Sequence, residues 1–159
     1  RGDVYLITKE YDKAIADYSV VIKSSPNFAP AYFRRGRAWA RKEECDKATA
    51  DYGEAIKRNP KYAAAYSSRA WLWAACPDHS FRNGLKAIES ATRACELTSW
   101  KNPYYISVLA AAYAEAGDFK QAVKWQTKAL AMAPESGKAE FQYELELYQA
   151  GKSYRKRSE

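Results

Sequence analysis

The chain has 159 residues and a net charge of +7, from 26 lysines and arginines against 19 aspartates and glutamates. With 47 % hydrophobic and 28 % charged residues, the composition supports a soluble, ordered domain. No hydrophobic run is long enough to cross a bilayer, and the basic residues are spread along the chain rather than gathered as in a nucleic-acid reader.

In chain order, the first signal is a period. Pro26 and Pro60 stand 34 residues apart, and at the same separation Gly2 pairs with Gly36, Ala14 with Ala48 and Tyr18 with Tyr52. A fixed period of this length marks a repeat array, which builds an extended surface rather than a catalytic pocket. Pro30 suits the first turn of a helix, where its missing N–H is no loss, so a helix is expected from Pro30 to Arg41. Its partner runs from Asp46 to Arg58 and stops before Asn59-Pro60. The stretch Ala122 to Pro134 mirrors Ala48 to Pro60 at an offset of 74, two periods plus six, so one intermediate unit carries six extra residues. In that unit Ala87 and Ala94 take the places of Ala48 and Ala55, and Ser99 stands where the other units have proline.

The extra residues fall in "AACPDHSFRNGL". Pro77-Asp78 ends one helix and Asn83 caps the next. The loop between them is read as a surface extension that tucks Phe81 against a neighbouring helix; a side contact for a partner is the alternative. Asn102-Pro103 is a further start signal. Gly117-Asp118 is a stop followed by a start, glycine for a left-handed C-terminal residue and aspartate for an N-cap. Phe141, Leu145 and Tyr148 form one apolar stripe, with Glu140, Glu144 and Glu146 expected largely off it. Tyr143 and Leu147 make a second stripe expected to pack on the preceding unit. Gly151 ends this helix. The tail then sets Lys152, Arg155, Lys156 and Arg157 against Glu159, a net +3. No segment alternates like a strand, so the chain is read as all-α, with nine helices or fewer.

The period, the helix-pair pattern and the small and aromatic positions resemble the tetratricopeptide repeat (TPR) of bacterial-type arrays. The second unit carries Tyr32, Gly36, Trp39, Ala48, Tyr52, Ala55 and Pro60 at the family's positions. The first carries Gly2, Tyr5, Ala14, Tyr18 and Pro26, with Val21 replacing a small residue. The third carries Tyr66, Ala70, Trp73, Ala87 and Ala94, with Ala91 where an aromatic is usual. The fourth carries Ile106, Ala110, Tyr113, Ala122, Ala129 and Pro134, with Gln126 at that same aromatic position. Arg35 and Arg69 stand where leucine is commonest, while Leu109 fits. The resemblance implies a TPR helical-hairpin solenoid wound as a right-handed superhelix. The expected layout is TPR 1 at 1–28, entered partway into its first helix; TPR 2 at 29–62; TPR 3 with the insertion at 63–102; TPR 4 at 103–136; a capping helix at 137–151; and a basic tail at 152–159. Beginning on Arg1, inside a helix, the chain is expected to be part of a longer protein.

The family's first helices line a concave groove for an extended peptide or a partner helix. The resemblance therefore implies a groove wall of Phe33, Arg34, Arg37 and Arg41, then Ser67, Ser68 and Trp71, then Tyr104, Ser107 and Val108. The arginines lie three and four apart, on one helical face, and arginine suits bidentate contacts to carboxylates. Trp71 is a flat apolar anchor of the kind enriched at binding hot spots. The expected partner is another protein or an acidic peptide with one apolar anchor. The carboxylate clamp of chaperone-binding TPR domains would fall on Phe33, Arg37, Ser68, Tyr104 and Val108. Only Arg37 is basic, so that clamp is absent. A homo-oligomer or assembly element with its groove filled internally is the alternative reading.

Other chemistry is set aside. The spacing of Cys45, Cys76 and Cys95 is no disulfide framework, Cys45 and Cys95 read as small packing residues, and unpaired thiols favour a reducing, cytoplasmic setting. Cys76, His79 and Cys95 make a poor metal set, since His79 is the only histidine and no second pair completes it. There is no P-loop, no glycine-rich dinucleotide turn and no nucleophile–base pair, so neither an enzyme site nor a cofactor is expected.

Overall fold

The computed structural model describes Asp3 and residues 9–155. Gly2 and Tyr5 of the first expected repeat, and Lys156, Arg157 and Glu159 of the tail, lie outside the described residues. Among the described residues there are eight α-helices, one short 3-10 turn and no strand. They form two compact units, Arg1–Ala65 and Tyr66–Glu159.

The first unit holds α1 (Tyr11–Ser24), α2 (Ala29–Arg41) and α3 (Cys45–Arg58), packed as successive antiparallel neighbours. Pro30 lies in the first turn of α2, as its fixed φ favours. The crossing of α2 and α3 depends on Gly36. A Cβ there would meet the Tyr52 ring at 2.7 Å and the Ala48 carbonyl at 3.2 Å. Ala14, Ala48 and Ala55 are fully buried, so the small residues of the period are the ones that let helices approach. Tyr32 and Tyr52 fill the space between them.

The second unit takes most of α4 (Ala63–Ala75), then α5 (Gly84–Leu97), α6 (Pro103–Glu115), α7 (Phe119–Met132), the turn Glu135–Gly137 and α8 (Lys138–Gln149). Each start signal holds. The Asn83 side chain accepts from the Lys86 N–H, that of Asn102 from the Tyr104 and Tyr105 N–H groups, and that of Asp118 from the Gln121 N–H. Gly117 has φ +83°, the left-handed conformation a helix stop requires. The core joins Ile106, Leu109 and Phe141 to a layer of buried alanines and Cys95. Burying each of the three large side chains contributes about 1.5–3 kcal/mol.

The insertion is a fixed loop. Asp78 Oδ1 accepts from the Ser80 N–H and hydroxyl, the Asn83 N–H donates to the Trp73 carbonyl at 2.8 Å, and Arg82 donates to the Cys76 carbonyl. Gly84 follows because a Cβ there would lie 2.5 Å from the Ala116 nitrogen.

Three expectations are corrected. Cys45 in the first unit and Cys76 in the second are each disulfide-bonded, and only Cys95 is a free thiol. Disulfide pairing is set by the fold rather than by sequence spacing, and the argument for a reducing compartment loses its basis. Glu144 is buried rather than off the apolar stripe, since its spacing from Phe141 and Tyr148 puts it on their face. Tyr143 is 51 % exposed, whereas Leu147 packs on the core as expected.

Candidate functional site

In the first unit, Arg34, Arg37 and Arg41 lie exposed along α2. Arg34 donates to Asp3 Oδ2 at 2.7 Å, and the Tyr18 hydroxyl donates to Asp3 Oδ1 at 2.7 Å. Burial, then the hydrogen bond and charge of Asp3, push the Tyr18 phenol well above its ordinary range. Phe33 is half-buried between Tyr52 and Tyr62, with ring centroids 5.7 and 4.9 Å away, so it serves packing. A cleft of about 490 Å³ opens beside Arg34, lined by Val20, Val21 and Phe28, all exposed, together with Asp17. The period did not point to this apolar patch: Val20 and Phe28 lie outside its signature positions, and Val21 stood out only as the replacement of a small residue.

In the second unit the expected wall meets the chain's own C-terminal segment. Ser107 is buried and donates to Glu144 Oε2 at 2.6 Å, and Gln126 Nε2 donates to the same oxygen at 2.8 Å and to the Phe141 carbonyl at 3.0 Å. Burial pushes the Glu144 carboxyl up to about 7, against the lowering effect of the Ser107 hydrogen bond. Tyr104 meets the Phe141 ring edge-on at 5.4 Å and Val108 packs on the core. Ser67 is buried and Ser68 half-buried.

Trp71 is covered as well. After α8 the chain turns at Gly151, and Tyr154 lays its ring 5.2 Å from that of Trp71. The Ser153 hydroxyl donates to the Ala114 carbonyl at 2.9 Å. Arg155 Nη1 lies 2.7 Å from Glu115 Oε2, and Arg82 Nε donates to Glu115 Oε1 at 3.1 Å. Ser107, Tyr104 and Trp71 are thus drawn to α8 and the tail, while the α2 arginines remain on an exposed face. Neither Tyr154 nor Glu115 was among the expected site residues, and Arg155 was expected only as part of the basic tail. The signal available was one tyrosine inside a basic tail, "KSYRKR".

Residues 105–136 match the family described as tetratricopeptide repeat. This stretch is a tetratricopeptide repeat. The fold of the chain is that of TPR proteins of known structure. TTC0263, a thermophilic TPR protein in Thermus thermophilus, superposes with a TM-score of 0.74 at 19 % identity, covering 94 % of this chain and 77 % of that one. MamA superposes with a TM-score of 0.77 at 19 % identity, covering 94 % and 83 %. A MamA RS-1 double mutant gives 0.79 at 11 % identity, covering 94 % and 79 %. No curated protein matches the chain.

TPR proteins bind other proteins, and their helical hairpins are in general interaction scaffolds rather than catalysts. Among the described residues no three histidine, cysteine, aspartate or glutamate side chains are grouped to hold a metal, and no helix is long and apolar enough to cross a membrane. Burial pushes the Cys95 thiol up to about 12, which keeps it protonated at neutral pH.

Proposed function

We propose that the chain is a non-catalytic protein–protein interaction module that holds an extended acidic segment against the arginine face of α2. The observation that carries this reading is the placement of Arg34, Arg37 and Arg41 together on an exposed helical face. Guanidinium groups at that spacing offer several carboxylates bidentate partners. Ser67, Ser68 and Trp71 of α4, and Tyr104, Ser107 and Val108 of α6, belong to the second unit and are its own share of the wall that the resemblance implies.

A second reading, an assembly element with the groove filled internally, draws support from two contacts. Tyr154 lies on Trp71, and Ser107 is bonded to Glu144.

A labelled acidic peptide containing one tryptophan tests the first reading by fluorescence anisotropy. Arg37→Glu, with unchanged helicity and melting, is expected to weaken binding at least about tenfold, and rising salt is expected to weaken it further. Equal affinity of parent and variant overturns it.

A further inference from the structure

The tail contact has the form of a ligand in its site. Three different interactions converge on residues 153–155. Tyr154 faces the Trp71 ring and joins the apolar cluster that includes Leu147 and Tyr113. Ser153 reaches a carbonyl in the last turn of α6. Arg155 pairs with Glu115, the last residue of that helix.

The electrostatics fix the sign of what fits there. The C-terminal turn of a helix carries the negative end of its dipole and carbonyls without helical partners, so it favours hydroxyl donors and cations. Glu115 adds a full negative charge, and its side chain is only 14 % exposed. Arg82 hydrogen-bonds one of its oxygens. The other, Oε2, is buried, and Arg155 approaches it as an ion pair without hydrogen-bond alignment. That oxygen retains the capacity to accept a better-aligned donor.

We propose that the surface formed by Trp71, Ala114 and Glu115 is a recognition site for an aromatic–basic segment of a partner protein, and that Ser153-Tyr154-Arg155 is its resident competitor. The proposal rests on the reading of the chain as an interaction module, but places a ligand of opposite charge in the second unit. A partner supplies a tyrosine-like ring for Trp71 and an adjacent arginine for Glu115. The tail, tethered one turn away, acts at high effective concentration and sets a threshold that an incoming segment must exceed.

The test uses the full chain carrying Tyr154→Ala and Arg155→Ala, and the capped peptide Lys-Ser-Tyr-Arg as probe. The readout is the indole N–H resonance of Trp71, assigned with Trp71→Phe. The double variant is expected to saturate at no more than about one-tenth of the peptide concentration the parent needs. Replacing the peptide's arginine by glutamate, or its tyrosine by alanine, is expected to abolish the shift. Equal titrations of parent and variant overturn the proposal, as does a glutamate peptide that binds as well as the arginine one. A parent dimer by light scattering that the double variant loses also overturns it, because the tail then serves a second copy. The acidic-peptide assay at Arg37 is run in parallel on the same variant. Its failure refutes the α2 reading alone, and failure at Trp71 refutes the tail proposal alone.

Discussion

Arg35 closes on Asp51 through two parallel hydrogen bonds, Nε to Oδ2 at 2.8 Å and Nη2 to Oδ1 at 2.7 Å. Asp51 is buried, and Arg35 Nη1 also donates to the Ser19 hydroxyl at 3.0 Å, so one guanidinium ties α1, α2 and α3 together. This accounts for arginine at a position where the family commonly has leucine. In the second unit the corresponding residues are Arg69 and Ser90. Arg69 Nε donates to the Ser90 hydroxyl at 3.3 Å and its guanidinium lies 5.0 Å from the Trp73 ring centroid. Where the first unit has a carboxylate, the second has a hydroxyl and an aromatic face.

Arg35→Leu, which restores the commoner residue, is therefore expected to destabilise the protein by about 3 kcal/mol, because it strands the Asp51 carboxylate without its partner. Adding Asp51→Ala is expected to recover most of that loss, leaving the double variant within about 1 kcal/mol of the parent. Denaturant unfolding of the two singles and the double measures it. Additive losses in the double variant would refute the pairing as the cause.

Glu144 makes stability depend on pH. Its folded carboxyl titrates at about 7 against an ordinary value of 4.5, chiefly because it is buried. Between those values the folded state holds a proton that the unfolded state has released. Stability is thus greatest below the lower value and falls as pH rises through about 7, by on the order of 3 kcal/mol. Glu144→Gln keeps the shape and removes the titration. Unfolding free energies at pH 5, 6, 7 and 8 are expected to fall for the parent and stay nearly level for the variant; parallel curves would place the titration elsewhere.

The repeat framework was legible in the sequence because its determinants are local. Pro30, Asn83, Asn102, Gly117 and Asp118 each act within a turn of their own position, and the alanines recur at a fixed spacing. The closure of the second unit was not legible. It depends on Gln126, which reads as a missing aromatic until its amide is seen bonded to Glu144 and the Phe141 carbonyl. It depends equally on Tyr154, whose target Trp71 is far away in sequence. Periodicity shows which faces are apolar, but the partner across such a contact is chosen by tertiary packing.

Gly84 is a local residue with a non-local reason. A methyl group there would sit 2.5 Å from the Ala116 nitrogen and 2.7 Å from its Cα, both backbone atoms that cannot swing aside. Gly84→Ala would reduce the conformational freedom of the unfolded chain, a stabilising contribution of about 0.4–1 kcal/mol. It is nevertheless expected to destabilise by about 1–3 kcal/mol, because α5 must move away from the end of α6. A raised melting temperature would show that the approach relaxes freely.

Ser99 occupies the place where the other units carry proline, and its backbone explains the exchange. Ser99 has φ +51° and Trp100 has φ +59°, two successive left-handed residues after α5. The Ser99 N–H donates to the Glu96 carbonyl at 3.0 Å, and the Trp100 N–H to that of Cys95 at 2.8 Å. The turn delivers Trp100 onto Trp125, stacked with centroids 5.0 Å apart. Proline requires φ near −65° and has no N–H. Ser99→Pro, which would restore the repeat's usual residue, is therefore expected to destabilise by about 3 kcal/mol or more. Ser99→Gly keeps the left-handed turn and is expected to stay within about 1 kcal/mol of the parent. Thermal unfolding with near-ultraviolet circular dichroism of the tryptophan pair checks both at once. Loss of the stacked signal in the proline variant alone supports the turn as its cause, and equal loss in both would place the stack under other control.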